Sequence, residues 1–288
     1  MKPLTVKVVA LPIGNVGDLS LRARTALEEA DLIFCEDTRK ISELARRADL
    51  NLRAKLLPLP GGREHDIDFE KFQLDPQYRS WVLVSDAGSP VVNDPGSELL
   101  AFCREHQVAV QAVPGPSAPV LAWQWSGGFG LPFVFSGFSP KAKSASSKEL
   151  ADFFRPARSA GTFVFFETKH QFEVTLGFLA ADEHFASAGL HLCREMTKTH
   201  EELVRGTAAT LLAYLKEREE REESMGELTF VLEGLGEKST GAATLTEADV
   251  LALRTGSVKD ASKVAARLSG RPARDFYQLF IQGGGKDD

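Results

Sequence analysis

The stretch from Trp81 to Gly96 constrains this 288-residue chain more than any other. Trp81-Val82-Leu83-Val84 is a short apolar run that leads straight into Ser85-Asp86-Ala87-Gly88-Ser89-Pro90. A second acid, Asp94, and a Pro95-Gly96 turn follow. An apolar run with turn signals behind it reads as a buried strand ending in a loop. In open α/β sheets, ligands sit just outside the carboxyl ends of the strands. Ala87, Gly88 and Ser89 leave room for a ligand against the backbone, and Asp86 offers acceptor oxygens. The plainer alternative is a strand, a tight turn and a helix cap with no ligand. These residues alone do not separate the two.

The same pattern recurs upstream. Lys7 to Leu11 is strand-like, Pro12-Ile13-Gly14-Asn15-Val16-Gly17-Asp18 is a loop, and Leu21, Ala23, Ala26, Leu27 and Ala30 keep helical spacing. This strand-loop-helix unit can hold a nucleotide-like ligand, although its loop does not match G-x-G-x-x-G. Leu32 to Cys35 is a second strand, followed at once by Glu36-Asp37-Thr38-Arg39-Lys40. There the alternatives are a charged site or a helix capped by Asp37 or Thr38 with a solvated ion pair. Residues 51–80 read as a loop region with one short helix. Leu99 to His106 reads as a helix and Val108 to Val113 as a strand. Pro114-Gly115-Pro116-Ser117-Ala118-Pro119 is then a rigid turn, with Ser117 placed to cap the next helix.

Beyond this point the chain changes character. Phe133-Val134-Phe135 opens a new set of strands, continued by Thr162 to Phe166, Leu190 to Cys193 and Leu228 to Glu233. Lys141, Lys143 and Lys148, with serines among them, read as a basic loop. Leu211 to Glu223 is a helix whose charged tail is a solvated face. Residues 236–256 read as a linker. Ser257-Val258-Lys259-Asp260 resembles a capping box, ahead of a helical face of Val258, Ala261, Val264, Ala265 and Leu268. Gly270 stops that helix, and Pro272 opens one carrying Phe276, Leu279 and Phe280. The expected division is an α/β domain over 1–120, a second over 121–236, and a linker with a helix-turn-helix-like unit over 237–288.

Composition narrows the function classes. With 43% hydrophobic and 26% charged residues, the chain reads as globular. No apolar run reaches membrane-spanning length, and no signal-peptide pattern opens the chain. Cys35, Cys103 and Cys193 are widely spaced, which fits a reducing cytoplasm rather than a disulfide framework. No His/Cys cluster has ligand spacing, so no metal site is expected. The net charge of −6 does not favour general polyanion binding. Affinity for nucleic acid would need local patches: Arg39 with Lys40, the 141–148 segment, or Lys259, Lys263, Arg267, Arg271 and Arg274.

Four strand-end motifs now stand together: Leu11-Pro12-Ile13-Gly14-Asn15, Glu36-Asp37-Thr38-Arg39, Ser85 to Pro90 with Asp94-Pro95-Gly96, and Pro114 to Ala118. In this order and spacing they resemble the ribosomal RNA small-subunit methyltransferase I family of the tetrapyrrole methylase superfamily. Phe166-Glu167-Thr168-Lys169-His170, Arg194-Glu195-Met196-Thr197-Lys198, Arg205-Gly206-Thr207 and the late Tyr277-Gln278-Leu279 extend the resemblance to nearly the whole chain. The chain departs from the family pattern at Leu59 to Asp66, at Gln171, and at Trp123 and Trp125.

The resemblance implies two α/β domains of the tetrapyrrole methylase type with a cleft for S-adenosylmethionine between them, plus a small C-terminal helical unit. It implies methyl transfer to a cytidine 2′-hydroxyl of 16S rRNA in the 30S subunit, by a cytoplasmic homodimer. Carried over by position, Pro12, Asp86, Ala87, Gly88, Ser89, Pro90, Ser117, Ala118 and Phe166 would touch the cofactor. Glu36, Asp37, Glu167, Glu195 and Lys198 are the candidate bases at strand ends. Arg39, Arg194 and Lys198 are candidates for holding phosphate, against a plainer role in ion pairs. A lysine base needs a lowered pKa, which neighbouring Glu195 opposes. Two other readings stay open: a methylase of a small macrocycle, and a non-catalytic RNA-binding assembly factor.

Overall fold

The computed structural model describes residues 3–62, 64–141, 146–234, 258–269 and 272–283. The first sheet holds β1 (Thr5–Val9), β2 (Leu32–Cys35), β3 (Lys55–Pro58), β4 (Ser80–Leu83) and β5 (Ala109–Val113). Its order is β3-β2-β4-β1-β5 and every pair is parallel. Helices α1 (Leu21–Glu28), α2 (Thr38–Ala48), α3 (Phe69–Leu74) and α4 (Ser97–Glu105) make the crossovers.

A parallel sheet needs both faces covered, and period-2 alternation divides its residues between two cores. Ile33, Cys35, Val82 and Val84 pack with Ala23, Leu27 and Ile41 of α1 and α2. Leu32, Phe34, Trp81 and Leu83 pack with Phe69, Leu99 and Phe102 of α3 and α4. Strands β2 and β4 are therefore buried at every position. Burial pushes the Cys35 and Cys193 thiols up to about 12 and Cys103 to about 11, so none is a reactive thiolate.

The second sheet holds β6 (Phe133–Phe138), β7 (Thr162–Glu167), β8 (Leu190–Arg194), β9 (Glu202–Gly206) and β10 (Leu228–Glu233), ordered β6-β7-β10-β8-β9. Only β6 and β7 run parallel; the other pairs are antiparallel. On one face, Phe163 and Phe165 meet Phe153 and Phe154 of α6 (Ser147–Phe154), and Phe230 stacks on Phe165. Helices α7 (Phe172–Ala181) and α8 (Ala208–Glu220) complete this layer.

The other face is covered by α5 (Ala118–Ser126), which leaves the end of β5 and lies on β7, β8 and β10. Its Ala122 joins Val164, Cys193 and Val231 in a core that also takes in Ile13 from the β1 loop. Both sheets thus belong to one compact unit, residues 1–234. The expected division at 120 falls inside α5. Trp123 and Trp125 pack against this same core, and Trp123 Nε1 donates to Phe129 O and Thr162 Oγ1, both at 3.2 Å.

Three sequence expectations need correction. Residues 51–80 contain β3, paired to β2 from Leu32↔Lys55 to Cys35↔Pro58. Its four residues end in proline, which an edge strand tolerates, and so short a run carries little periodic signal. Lys148 lies in α6 rather than in a loop, behind a capping box made by Ser146 and Glu149; Lys143 lies outside the described residues. Strand β9 and helix α7 were not anticipated. The latter, Phe-Glu-Val-Thr-Leu-Gly-Phe-Leu-Ala-Ala, is too uniformly apolar to show a 3.6 period.

Residues 235–288 form a second unit. Helices α9 (Val258–Ser269) and α10 (Ala273–Gly283) pack through Ala261, Ala265, Phe276 and Phe280, as their spacing predicts. The expected linker over 236–256, and Ser257, Gly270 and Arg271, lie outside the described residues.

The departing segment at Leu59 to Asp66 has a structural task. Helix α4 begins at Gly96, which has no side chain to cap it. Buried Glu64 supplies the missing acceptor: its Oε2 takes hydrogen bonds from Gly96 N at 2.9 Å and Glu98 N at 3.3 Å. The carboxylate also faces the positive end of the helix dipole. Replacing Glu64→Ala orphans a buried N–H and should destabilise the protein by about 1–2 kcal/mol in urea unfolding. An unchanged midpoint would mean that water caps this helix as well as Glu64 does.

Candidate functional site

The carboxyl ends of β1, β4 and β5 are fastened to each other through their loops. Leu11 N donates to Gly88 O at 2.8 Å, and Gly88 N to Leu11 O at 3.0 Å, an isolated antiparallel bridge between two parallel strands' loops. Gly88 has φ +73°, and a Cβ there would press on Ile13 Cγ2 at 3.3 Å. The Ser85 hydroxyl donates to Ala87 O at 3.0 Å and lies 3.2 Å from Gly88 O. The Ser89 hydroxyl donates to Pro116 O at 3.1 Å, tying the β4 loop to the β5 loop.

The second sheet closes against these loops. Asn15 N donates to Thr197 Oγ1 at 3.2 Å. A Cβ on Gly14 would sit 2.5 Å from Lys198 Cγ, and one on Gly137 would sit 2.7 Å from Asn93 Oδ1. Two β-branched residues in these loops, Val91 (φ +69°) and Thr197 (φ +66°), hold left-handed backbone that their side chains disfavour.

Between the layers lies a cavity of about 630 Å³, within the usual range for a small-molecule site. Ile13, Asp86, Ala87, Gly88 and Ser89 line it from the β1 and β4 loops, and Ser117, Ala118 and Pro119 from the start of α5. The second sheet supplies Phe138, Phe166, Glu167, Lys169, His170, Met196 and the segment Gly226 to Thr229, which leads into β10. Seven of the nine expected cofactor contacts are therefore gathered here. Pro12 instead lines a smaller adjoining cavity of about 160 Å³, and Pro90 is not among the lining residues of either. Ser117 occupies the N-cap position of α5 but makes no capping bond, contrary to expectation, so its hydroxyl is not committed to the helix.

Of the six expected catalytic residues only Glu167 lines the cavity. It is buried, its Oε2 accepts from Ser139 Oγ at 2.7 Å, and its Oε1 accepts from Thr168 N at 2.7 Å. Burial holds its pKa above the ordinary value despite these bonds and one from Thr175. Asp37 caps α2 and pairs with Arg39 at 2.7 Å, whose hydrogen bonds hold it down at about 2. Glu195, Lys198 and Glu227 form a linked set, with Lys198 Nζ 2.9 Å from Glu195 and 3.1 Å from Glu227. Burial works against the Lys198 charge, but these two carboxylates outweigh it and the pKa rises. That removes the condition a lysine base requires. Arg194 is buried and spent on Glu202, 3.0 Å away, and His200 O, so it is not free to hold phosphate.

Asp86 has a tighter role than expected. Its Oδ1 accepts from Asp37 N at 3.0 Å, and its Oδ2 lies 3.2 Å from Lys40 Nζ. It therefore anchors the start of α2 while facing the cavity. Asp94, quoted as part of the motif but not singled out, also lines the cavity. Burial lifts it to about 6, aided by Glu36 and Asp86 and opposed by a bond from Ser85. Glu36 is raised in turn by burial, Asp86 and Asp37, against Lys40. The strand-end motifs thus place Glu36, Asp86 and Asp94 close enough to disfavour one another's charge. A cavity with a floor of small residues and carboxylates at Asp86, Asp94 and Glu167 suits a nucleoside-sized ligand with a cationic centre, as S-adenosylmethionine is. No cluster of three metal-ligating side chains is found among the described residues. Sequence reading passed over Phe138, Lys169, His170 and Gly226 to Thr229 as site residues; the available signal was the glycine ahead of the apolar run Leu228 to Leu232.

The Asp94 shift has a definite sign. A carboxyl whose folded pKa lies above its unfolded value binds more protons when folded. Stability from this group is present below about pH 4 and is lost as pH rises to about 6. The Asp94→Asn protein should match wild type at pH 4 and be the more stable at pH 7, by thermal unfolding across that range. Parallel pH profiles for the two proteins would remove Asp94 from this account.

A family profile described as Tetrapyrrole (Corrin/Porphyrin) Methylases matches residues 5–212. The ribosomal RNA small subunit methyltransferase I of Neisseria meningitidis serogroup B is 34% identical, over 96% of this chain and 93% of its own. That of Thermotoga maritima is also 34% identical, over 79% of this chain and 97% of its own. Among solved structures, uroporphyrin-III-C-methyltransferase from Thermus thermophilus shares the fold with a TM-score of 0.52 at 19% identity, covering 81% of this chain and 95% of that one. The profile match and the identity over nearly its full length show that the chain belongs to the ribosomal RNA small subunit methyltransferase I family of tetrapyrrole methylases, which use S-adenosylmethionine.

Proposed function

We propose that this protein methylates the 2′-hydroxyl of a cytidine ribose in 16S rRNA, acting on the 30S subunit in the cytoplasm. The supporting observation is the full-length likeness to relatives named for small-subunit rRNA methylation, joined to a cavity whose rim carries Lys169 and His170. The macrocycle reading draws on the superfamily-wide profile and on solved structures at low identity, whereas the relatives at 34% identity over nearly the full length are named for rRNA. A non-catalytic assembly factor would have no use for a cavity with these carboxylates.

S-adenosylmethionine supplies a methyl group activated on a sulfonium. The chain's part is to orient both reactants and exclude water. The Asp86 to Ser89 loop, Ser117 and Ala118 hold the cofactor, with Phe166 as an apolar wall. A cationic centre gains from the Asp86 and Asp94 carboxylates in a site of reduced dielectric. Glu167 fixes the β7 end through Ser139 and Thr168, and from there presents Lys169 and His170 to the substrate. It is the one of the five candidate bases that lines the cavity. Lys198, Glu195, Asp37 and Arg39 act in ion pairs that shape the surrounding loops.

A broken hydrogen bond or charge contact at Asp86 is worth ~1–3 kcal/mol. Asp86→Ala should therefore lower S-adenosylmethionine affinity about tenfold or more by calorimetry; equal affinity would remove Asp86 from the site. For the substrate, 30S subunits from cells lacking the gene should gain one ribose methylation at a cytidine when given the protein and cofactor. Methylation of a base, or of no RNA at all, would overturn the reading.

We also propose a homodimer. Strand β5 is an edge strand, and four of its five residues are exposed, Val110 among them at 46%. An edge of this kind needs a cover. Light scattering should give twice the chain's 31.4 kDa, and a monomer mass at high concentration would defeat the proposal.

A further inference from the structure

We propose that Phe138 is the platform on which the base of the target nucleotide stacks during methyl transfer. This rests on the ribose-methylation reading and extends it to a residue for which no role is yet assigned.

The argument begins with register. Strand β6 pairs with β7 as Phe133↔Thr162, Val134↔Phe163 and Phe135↔Val164, and then as Phe138↔Phe166. Three steps on β6 oppose two on β7, so β6 carries one extra residue, a β-bulge. In an unbroken strand, Phe135 and Phe138 would point to opposite faces. The bulge puts them on the same face. Both rings meet Phe166, with centroids 4.8 Å away for Phe135 and 5.3 Å away for Phe138. Gly137, at φ +73°, makes the bend, and the space beside it belongs to Asn93. The local backbone is thus spent on aiming one aromatic ring at the cavity.

Beyond its contact with Phe166, that ring is left open to solvent. Phe138 is 48% exposed, whereas Phe163, Phe165 and Phe230 of the same sheet are wholly buried. It lies at the open end of the cavity with Val92, which is 45% exposed. Ile13 and Gly88, which line the same cavity, are buried. Lys169 and His170 also line it and are exposed, and the ion pairs among the described residues include neither. A flat apolar face flanked by a lysine and an imidazole matches a nucleotide: the base stacks, and the phosphates take the lysine's charge and the imidazole's hydrogen bond. RNA enzymes that must reach a ribose in folded RNA gain by holding the nucleotide unstacked from its neighbours.

The test uses the full chain and 30S subunits from cells lacking the gene. Stacking of one base on an aromatic side chain changes affinity by about ten- to a hundredfold. Phe138→Ala and Phe138→Leu should both lower kcat/KM for 30S subunits by that factor. Phe138→Tyr should keep most of the wild-type value, because it keeps the flat ring. Calorimetric affinity for S-adenosylmethionine should stay within twofold in all three. If Phe138→Leu works as well as Phe138→Tyr, the side chain is only apolar filler and the proposal fails. A tenfold loss of cofactor affinity would make Phe138 part of the cofactor wall, which also overturns it. Should wild type place no methyl on a 30S ribose, the functional reading itself has failed, a result separate from either of these.

Discussion

Two backbone hydrogen bonds, between Leu11 and Gly88, are the constraint on which the site depends. They join the loops of adjacent parallel strands beyond the point where the sheet's own ladder ends. Because they use main-chain atoms, they leave the side chains of both loops free to face the cavity. They also require the backbone to approach closely, which is why position 88 is a glycine at positive φ. The Ser85 and Ser89 hydroxyls then satisfy carbonyls that would otherwise be stranded in this crowded corner. A floor built this way is rigid without being bulky, as a pre-organised cofactor site demands.

Charge is arranged on the same economical plan. Asp86 holds Lys40 and the start of α2, and faces the cavity as well. Glu36 and Asp94 are crowded by it, and each is held above the ordinary carboxyl range by burial and by its acidic neighbours. The ion pairs at Asp37–Arg39 and Glu195–Lys198 lie outside this set. They shape loops on the two sides of the cleft.

Most of the first sheet was legible because its strands end abruptly in small residues and acids, and its helices carry clear periods. Its strand-end motifs supplied six of the seven expected contacts found in the cavity, and Phe166 came from the second sheet. What failed has physical causes. Strand β3 is four residues at an edge and ends in proline. Helix α7 buries one stripe, Phe172, Thr175, Leu176 and Leu179, but carries apolar residues such as Val174 on its exposed side too, so its hydropathy shows no period. Charged residues beside a motif looked like chemistry in one dimension, but Asp37, Arg39, Glu195 and Lys198 satisfy one another in three. Asp37–Arg39 and Glu195–Lys198 are local pairs, and only the second contact of Lys198, to Glu227, joins segments that meet after folding. The bulge at Phe138 was invisible for a different reason: it matters through register with a neighbouring strand, which no local pattern records.

Helix α5 begins at the cavity with Ser117, Ala118 and Pro119, and continues into the core of the second sheet at Ala122, where it lies against Val164, Cys193 and Val231. It is a single stiff rod with one end in the ligand site and its body clamped to the other layer. Ala122 is wholly buried, with Cys193 Sγ 3.8 Å from its carbonyl oxygen. Any change of volume beneath that rod is levered to its tip. The dimensions of the cleft can therefore drift during evolution through substitutions in the packing behind it, with every residue that meets a ligand left as it was.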